Sequence, residues 1–279
     1  MIKLLFPHLS LTLIFTLTLG FYPIVKVVPQ PIKITEDGVT SKQQQKQEPK
    51  TPTLTNAPEK SGLISKIIHF ILPPKGAPGQ RSYAAARADC PATKIPMTAL
   101  VPPTNIGLTI SERPTFWFYI PYQSISTKPV EFLLLNDQKN VVYKKTYPLT
   151  STPGIISITL PQNAPILENG KKYNWVLSFI CDPENRLKDT FVKGYIEKIP
   201  INFNLKSLLD VANTPTERVS VFAENGVWYD ALTLLAEERR MKPKDASIGK
   251  DWQDLLESPK VELQEFVSEP IVPCYQFTQ

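Results

Sequence analysis

Between positions 172 and 181 the apolar side chains recur at every second residue. Tyr173, Trp175, Leu177, Phe179 and Cys181 fall on one face of an extended chain, while Asn174 and Ser178 mark the other. That period of two predicts a strand lying on a core. Short apolar or alternating runs separated by turn residues predict six more, at 95–101, 115–120, 130–135, 141–147, 155–160 and 190–199. Turn chemistry divides them: Asn136-Asp137-Gln138-Lys139-Asn140 reads as a hairpin loop, and Thr152-Pro153-Gly154 breaks the next pair. In the 115–120 run, Phe116, Phe118 and Ile120 alternate with Trp117 and Tyr119, so both faces are apolar and the strand must be central or covered by helices.

Ahead of the 172–181 strand, Leu167 and Gly170 make a turn that delivers Tyr173 to the strand's start. This spacing looks like the corner of immunoglobulin-like and fibronectin-like sandwiches. After Pro200 the period lengthens to about 3.6. Thr214 as N-cap, Pro215 at the first helical position and Glu217 three residues after the cap predict a helix that Asn225-Gly226 ends. A second helix is predicted over 227–240, with Trp228, Ala231, Leu232, Leu235 and Ala236 as its buried stripe. A third is predicted over 247–257, burying Trp252, Leu255 and Leu256, and a short fourth over 261–267. The fold class expected is α+β: an immunoglobulin/fibronectin-like antiparallel β-sandwich followed by a small C-terminal helical layer.

The remainder of the chain divides by composition. Residues 1–22 carry one early lysine and the apolar run 9–21, sized like the core of a signal peptide; an uncleaved N-terminal anchor is the alternative. Residues 23–88 are rich in Pro, Gln, Lys and Thr and read as a disordered spacer, because they lack the apolar surface that offsets the entropy of ordering. Within it, 61–72 places Ile64, Ile67, Ile68 and Ile71 on one stripe, so this stretch either lies on a membrane surface or docks as a helix on the protein's own domain. Residues 89–200 are expected to form the sandwich and 201–279 the helical subdomain packed on it.

Charge removes one class of function. The net charge of +5 splits into +6 over residues 1–89 (11 Lys and Arg against 5 Asp and Glu) and −1 over 90–279 (20 against 21). A nucleic-acid surface needs clustered cations, so the body is not expected to bind nucleic acid. Chemistry is narrowed further because both histidines, His8 and His69, precede the sandwich. From residue 90 onward there is no Ser-His-Asp triad, no Cys-His pair and no histidine-bearing zinc site to build. Glycine-rich phosphate loops are missing as well, so no cofactor is expected.

Of the cysteines, Cys90 and Cys181 are expected to pair, because a strand end in a sandwich can lie beside the start of the first strand; a Cys90–Cys274 bridge is the alternative. Such a long loop makes the bond worth roughly 4 kcal/mol in the chain-entropy account. Carboxylates crowd the loop 182–189 in a spacing that fits no calcium-loop template and suits an ordinary solvated turn. Glu224, Asp230, Glu237 and Glu238 could supply the acid and base of a glycoside hydrolase, although helix-end and solvent roles account for them too. Trp117, Tyr119, Trp175, Trp228 and Tyr229 could stack on carbohydrate, but their spacing is that of core packing.

Two resemblances involve enough residues to name. The stretch Ala223-Glu224-Asn225-Gly226-Val227-Trp228-Tyr229-Asp230-Ala231-Leu232, with Pro243 following, resembles the latter part of a tetratricopeptide repeat, present in one copy. More specifically, Ser111-Glu112-Arg113-Pro114-Thr115-Phe116-Trp117-Phe118-Tyr119, the 167–175 turn and strand, Cys181-Asp182-Pro183 and Trp228-Tyr229-Asp230-Ala231 together resemble the cyanobacterial family called domain of unknown function 928, over about 90–270. The resemblance implies an exported cyanobacterial protein and no known activity.

The function expected is therefore a non-enzymatic binding or scaffold protein of the cell envelope, in the periplasm or at the cell surface. Its partner would be a protein or envelope polymer, with Trp228, Tyr229 and Asp230 as candidate interaction residues. Membrane contact is expected only through the N-terminal segment or 61–72. A carboxylate-dependent glycoside hydrolase and a carbohydrate-binding module are the alternatives.

Overall fold

The computed structural model describes residues 68, 70–73, 75–83, 90–123 and 128–273. The apolar run 9–21, most of the 61–72 stretch and Cys274 lie outside them. Nine strands are present among the described residues: β1 (Ser82–Tyr83), β2 (Met97–Ala99), β3 (Ile106–Thr109), β4 (Thr115–Ile120), β5 (Val130–Leu135), β6 (Val141–Tyr147), β7 (Gly154–Thr159), β8 (Lys172–Phe179) and β9 (Thr190–Lys198). They form two sheets, ordered β1-β2-β4-β7 and β3-β9-β8-β5-β6. Neighbours are antiparallel except β3, which runs parallel to β9 with Ile106 opposite Tyr195. Two of these strands, β1 and β3, add to the seven expected.

The alternation of β5 and β8 positions the core. Phe132 and Trp175 turn inward to meet the inward row of β4, with Phe116 and Phe132 ring centres 4.8 Å apart and Phe118 and Trp175 5.5 Å apart. The other row of β4 is covered from outside. The Trp117 indole donates to Thr233 Oγ1 at 3.0 Å, and the Tyr119 ring rests 5.1 Å from that of Phe266. Helices therefore account for a strand that is apolar on both faces. At the corner before β8, the Tyr173 hydroxyl accepts the Glu168 N–H at 3.0 Å, and Gly170 supplies the turn with a φ of 73°.

Four helices follow: α1 (Phe203–Val211), α2 (Pro215–Glu224), α3 (Trp228–Met241) and α4 (Ala246–Leu256). The capping box of α2 is complete, since Thr214 Oγ1 accepts the Glu217 N–H while Glu217 accepts the Thr214 N–H. α1 was not expected from the sequence; it is capped by Asn202, whose side chain accepts the Leu205 N–H at 2.8 Å, and it buries only Leu205 and Leu209. The helix expected over 261–267 is reduced to a single 3-10 turn at Gln264–Phe266. Lys260 and Glu262 take left-handed φ values of 74° and 54°, and a helix cannot pass through them.

The packed chain starts ahead of Cys90. Ile68 and Phe70 are buried, the Phe70 N–H donates to Ser258 Oγ at 3.0 Å and the Ile71 N–H to the Ala223 carbonyl at 3.0 Å. This part of the 61–72 stretch thus docks on the protein's own domain, and residues 68 and 70–73 do so without forming a helix. The contact explains Gly226, whose φ is 72° and where a Cβ would come within 2.9 Å of the Ile71 carbonyl oxygen. At the other end, Ile271 bridges Ile155 and lies along the outer edge of β7. Cys90 and Cys181 form a disulfide with Cα atoms 5.2 Å apart, joining the chain ahead of β2 to the end of β8.

Candidate functional site

The first turn of α3 fastens the helices to both sheets, one residue after another. The Trp228 indole donates to the Leu100 carbonyl at 2.8 Å, at the end of β2. The Tyr229 hydroxyl accepts the Trp175 indole N–H at 2.8 Å and donates to the Tyr195 carbonyl at 3.2 Å, reaching β8 and β9. Asp230 Oδ2 accepts the Ile110 N–H at 3.2 Å, just beyond β3, and is also hydrogen-bonded by the Thr109 side chain. Two glycines make room. A Cβ on Gly107 would stand 2.6 Å from the Tyr229 ring, and one on Gly194 would collide with the Trp175 ring. Burial drives the Tyr229 hydroxyl far above the ordinary tyrosine range, so it remains a neutral donor and acceptor.

This placement separates the three candidate interaction residues. Trp228 is wholly buried and Tyr229 nearly so, and their partners are the protein's own strands. Tyr229 and Asp230 do border a cleft of about 320 Å³ between the β3–β4 connection and helices α2 and α3. Its rim carries Arg113 from the connection, Arg218 from α2 and Glu237 from α3, and Phe222 and Leu234 form apolar wall. Arg113 Nη1 donates to the Pro161 and Ala164 carbonyls at 2.6 and 2.7 Å, and Arg218 Nη1 donates to the Leu209 carbonyl at 3.1 Å. Both guanidinium groups are therefore fixed before anything enters.

Electrostatics in the cleft are mixed. Burial raises the Asp230 carboxyl to about 6, against the hydrogen bonds from Thr109 and Ile110 and the charge of Lys198, which pull it down. Both oxygens of Glu237 are held by Arg240 at 3.0 Å. Arg240 also lies over the Trp117 ring at 5.3 Å.

The remaining sequence candidates are placed elsewhere. Trp117, Trp175 and Trp228 are 2%, 1% and 0% exposed, and Tyr119 is buried, so the aromatic row expected of a carbohydrate-stacking face is core instead. In the 182–189 loop, Asp182 pairs with Lys188 and Asp189 with Arg186, which leaves the carboxylates facing cations. Among the described residues, no group of three His, Cys, Asp or Glu side chains is placed to hold a metal ion. Glu238 pairs with Lys242 at 2.9 Å, one turn along α3. No described helix is long and apolar enough to cross a membrane. Sequence reasoning did not select Arg113 or Arg218 as site residues. The only signal was Arg113 within a Ser-Glu-Arg-Pro turn, which reads equally as loop chemistry.

The profile of Domain of Unknown Function (DUF928) matches residues 78–271. The chain belongs to this family. The DUF928 region runs from just before β1 to Ile271 on the edge of β7, so it contains the disulfide, the α3 stitches and the whole cleft. No curated protein matches the chain.

Proposed function

We propose that this DUF928 protein is an exported, non-enzymatic binding protein of the cell envelope, and that it holds its partner, a protein or envelope polymer, in the cleft between the sandwich and the α2–α3 hairpin. The observation that carries the reading is the preorganised lining: Arg113 from the β3–β4 connection and Arg218 from α2 are both locked by backbone carbonyls at one concave site. Export is supported by the N-terminal apolar run and by a buried disulfide, a bond that persists in oxidising compartments. The strand order, with β3 parallel to β9 and the Tyr173 corner, supports an immunoglobulin-like sandwich, a scaffold used widely for adhesion. The disulfide differs from the inter-sheet bond of antibody domains, since it lies outside both strands' interior.

The test is to fill the cleft. Envelope material should be retained by immobilised wild-type protein and released by Leu234→Trp; equal retention by both would reject the cleft as the binding site. Cell fractionation with sequencing of the mature N-terminus tests export and decides between a cleaved signal and an anchor.

One observation favours a second reading, a glycoside hydrolase. Asp230 and Glu237 share the cleft, and burial raises the Asp230 pKa to about 6, so it holds its proton longer, as a general acid must. Their seven-residue spacing, two helical turns, puts both on one face of α3. The engagement of Glu237 by Arg240 counts against its serving as base. Turnover of chromogenic glycosides that disappears in both Asp230→Asn and Glu237→Gln would establish the enzyme; turnover no faster than the blank is the outcome expected.

A further inference from the structure

We propose that the cleft recognises a sugar-sized anion, a saccharide bearing a carboxylate or a phosphate, through Arg113 and Arg218. The inference rests on the binding role proposed for the cleft and adds the chemistry of its occupant. Its basis is a charge imbalance. Neither guanidinium has a carboxylate within ion-pair distance among the described residues, although both are half-buried. Burying unpaired cations is costly, and carbonyl acceptors compensate only part of that cost.

The two acids in the cleft do not supply the missing charge. Asp230 is turned to the Ile110 N–H, the Thr109 hydroxyl and the field of Lys198. Glu237 gives both oxygens to Arg240. With Nη1 of each arginine bound to backbone, Nη2 and Nε make no protein hydrogen bond among the described residues, and a planar fork with free donors is what carboxylates and phosphates bind. The size of the cleft, at the small end of ligand sites, suits one sugar ring better than a folded partner.

The surroundings of Asp230 also give a pH signature. Thr109 and Ile110, from β3 and its end, and Lys198 from β9 act on the carboxyl directly, and Arg113 from the connection, Arg218 from α2 and Glu237 on its own helix line the same cleft. An anion seated among them repels the ionised carboxylate, so binding should tighten as the pH falls through about 6.

The experiment is calorimetric titration of the full chain with glucuronate, glucose 6-phosphate and glucose. Glucuronate or glucose 6-phosphate should bind and glucose should not; which anion binds identifies the group recognised. Arg218→Gln should weaken the anion about ten-fold, the loss of one charge-assisted contact. Arg113→Lys, which keeps the charge but loses the fork, should weaken it less. Lys206→Gln, which removes a cation outside the cleft, should change nothing. Equal binding to Arg218→Gln, equal weakening by Lys206→Gln, glucose binding as tightly as the anions, or no binding of any of the three would overturn the proposal. If envelope material is still released by Leu234→Trp in those cases, cleft binding stands and only the anion is wrong.

Discussion

Asp230 shows how a single side chain can serve two ends of the molecule. It fastens α3 to the end of β3 and also borders the cleft, and the cost is a carboxyl raised from its ordinary value to about 6. Because the folded-state value lies above the unfolded one, the folded chain binds the extra proton between roughly pH 4 and 6. Stability therefore falls as pH rises through this window and levels off above it. Urea unfolding should show wild type less stable at pH 7.5 than at pH 5, by about 1 kcal/mol, the part of the shift that lies above pH 5. Asp230→Asn should remove most of that slope. The carboxylates of Glu131, Asp182, Glu217 and Asp245 are shifted the other way, by cations or N–H donors, so their contribution is lost as pH falls below about 5 and opposes the Asp230 slope only at the acid end of this window, outside the comparison of pH 5 with pH 7.5.

At the scale of elements, helix ends matter more than helix interiors. α2 is a short helix that buries Val219, Ser220, Phe222 and Ala223 in its second half, and its start is fixed by the reciprocal hydrogen bonds of Thr214 and Glu217. Thr214→Ala should cost about 1 kcal/mol in chemical denaturation and leave the strands unaltered. That helix was legible in the sequence because the cap, Pro215, Glu217 and Gly226 all agree. Strands β4, β5 and β6 were legible for a similar reason, since each is a run of six or seven residues whose outline the apolar pattern traces. β3 was not, because it is four residues long, includes Gly107 and pairs in parallel with a strand some ninety positions away. α1 escaped as well: two buried leucines leave little periodicity, and Phe203 and Val211 face outward at 86% and 69% exposure. The cleft was legible only in part, through Tyr229, Asp230 and Glu237. Arg113 and Arg218 come together through tertiary packing, and nothing local distinguishes them from surface arginines.

In the molecule as a whole, one covalent bond joins distant parts of the chain. The Cys90–Cys181 disulfide spans 91 positions, a loop long enough for its removal to matter. The double substitution Cys90→Ala, Cys181→Ala should lower stability by about 2–4 kcal/mol while far-ultraviolet dichroism stays unchanged. A loss much below that range would mean that the unfolded chain is already compact without the bond.

The same crosslink fixes how the body responds to being pulled by its two termini. Residues 70–73 and 75–83, held by packing and a few hydrogen bonds, peel away first, and tension arriving at Cys90 then crosses the sulfur atoms directly into Cys181. β2 through β8 fall inside the bypassed loop, so once residues 82–83 have left β2 and residues 270–272 have left β7, stretching strips β9 and the helices while the other strands stay within the loop that the bond closes.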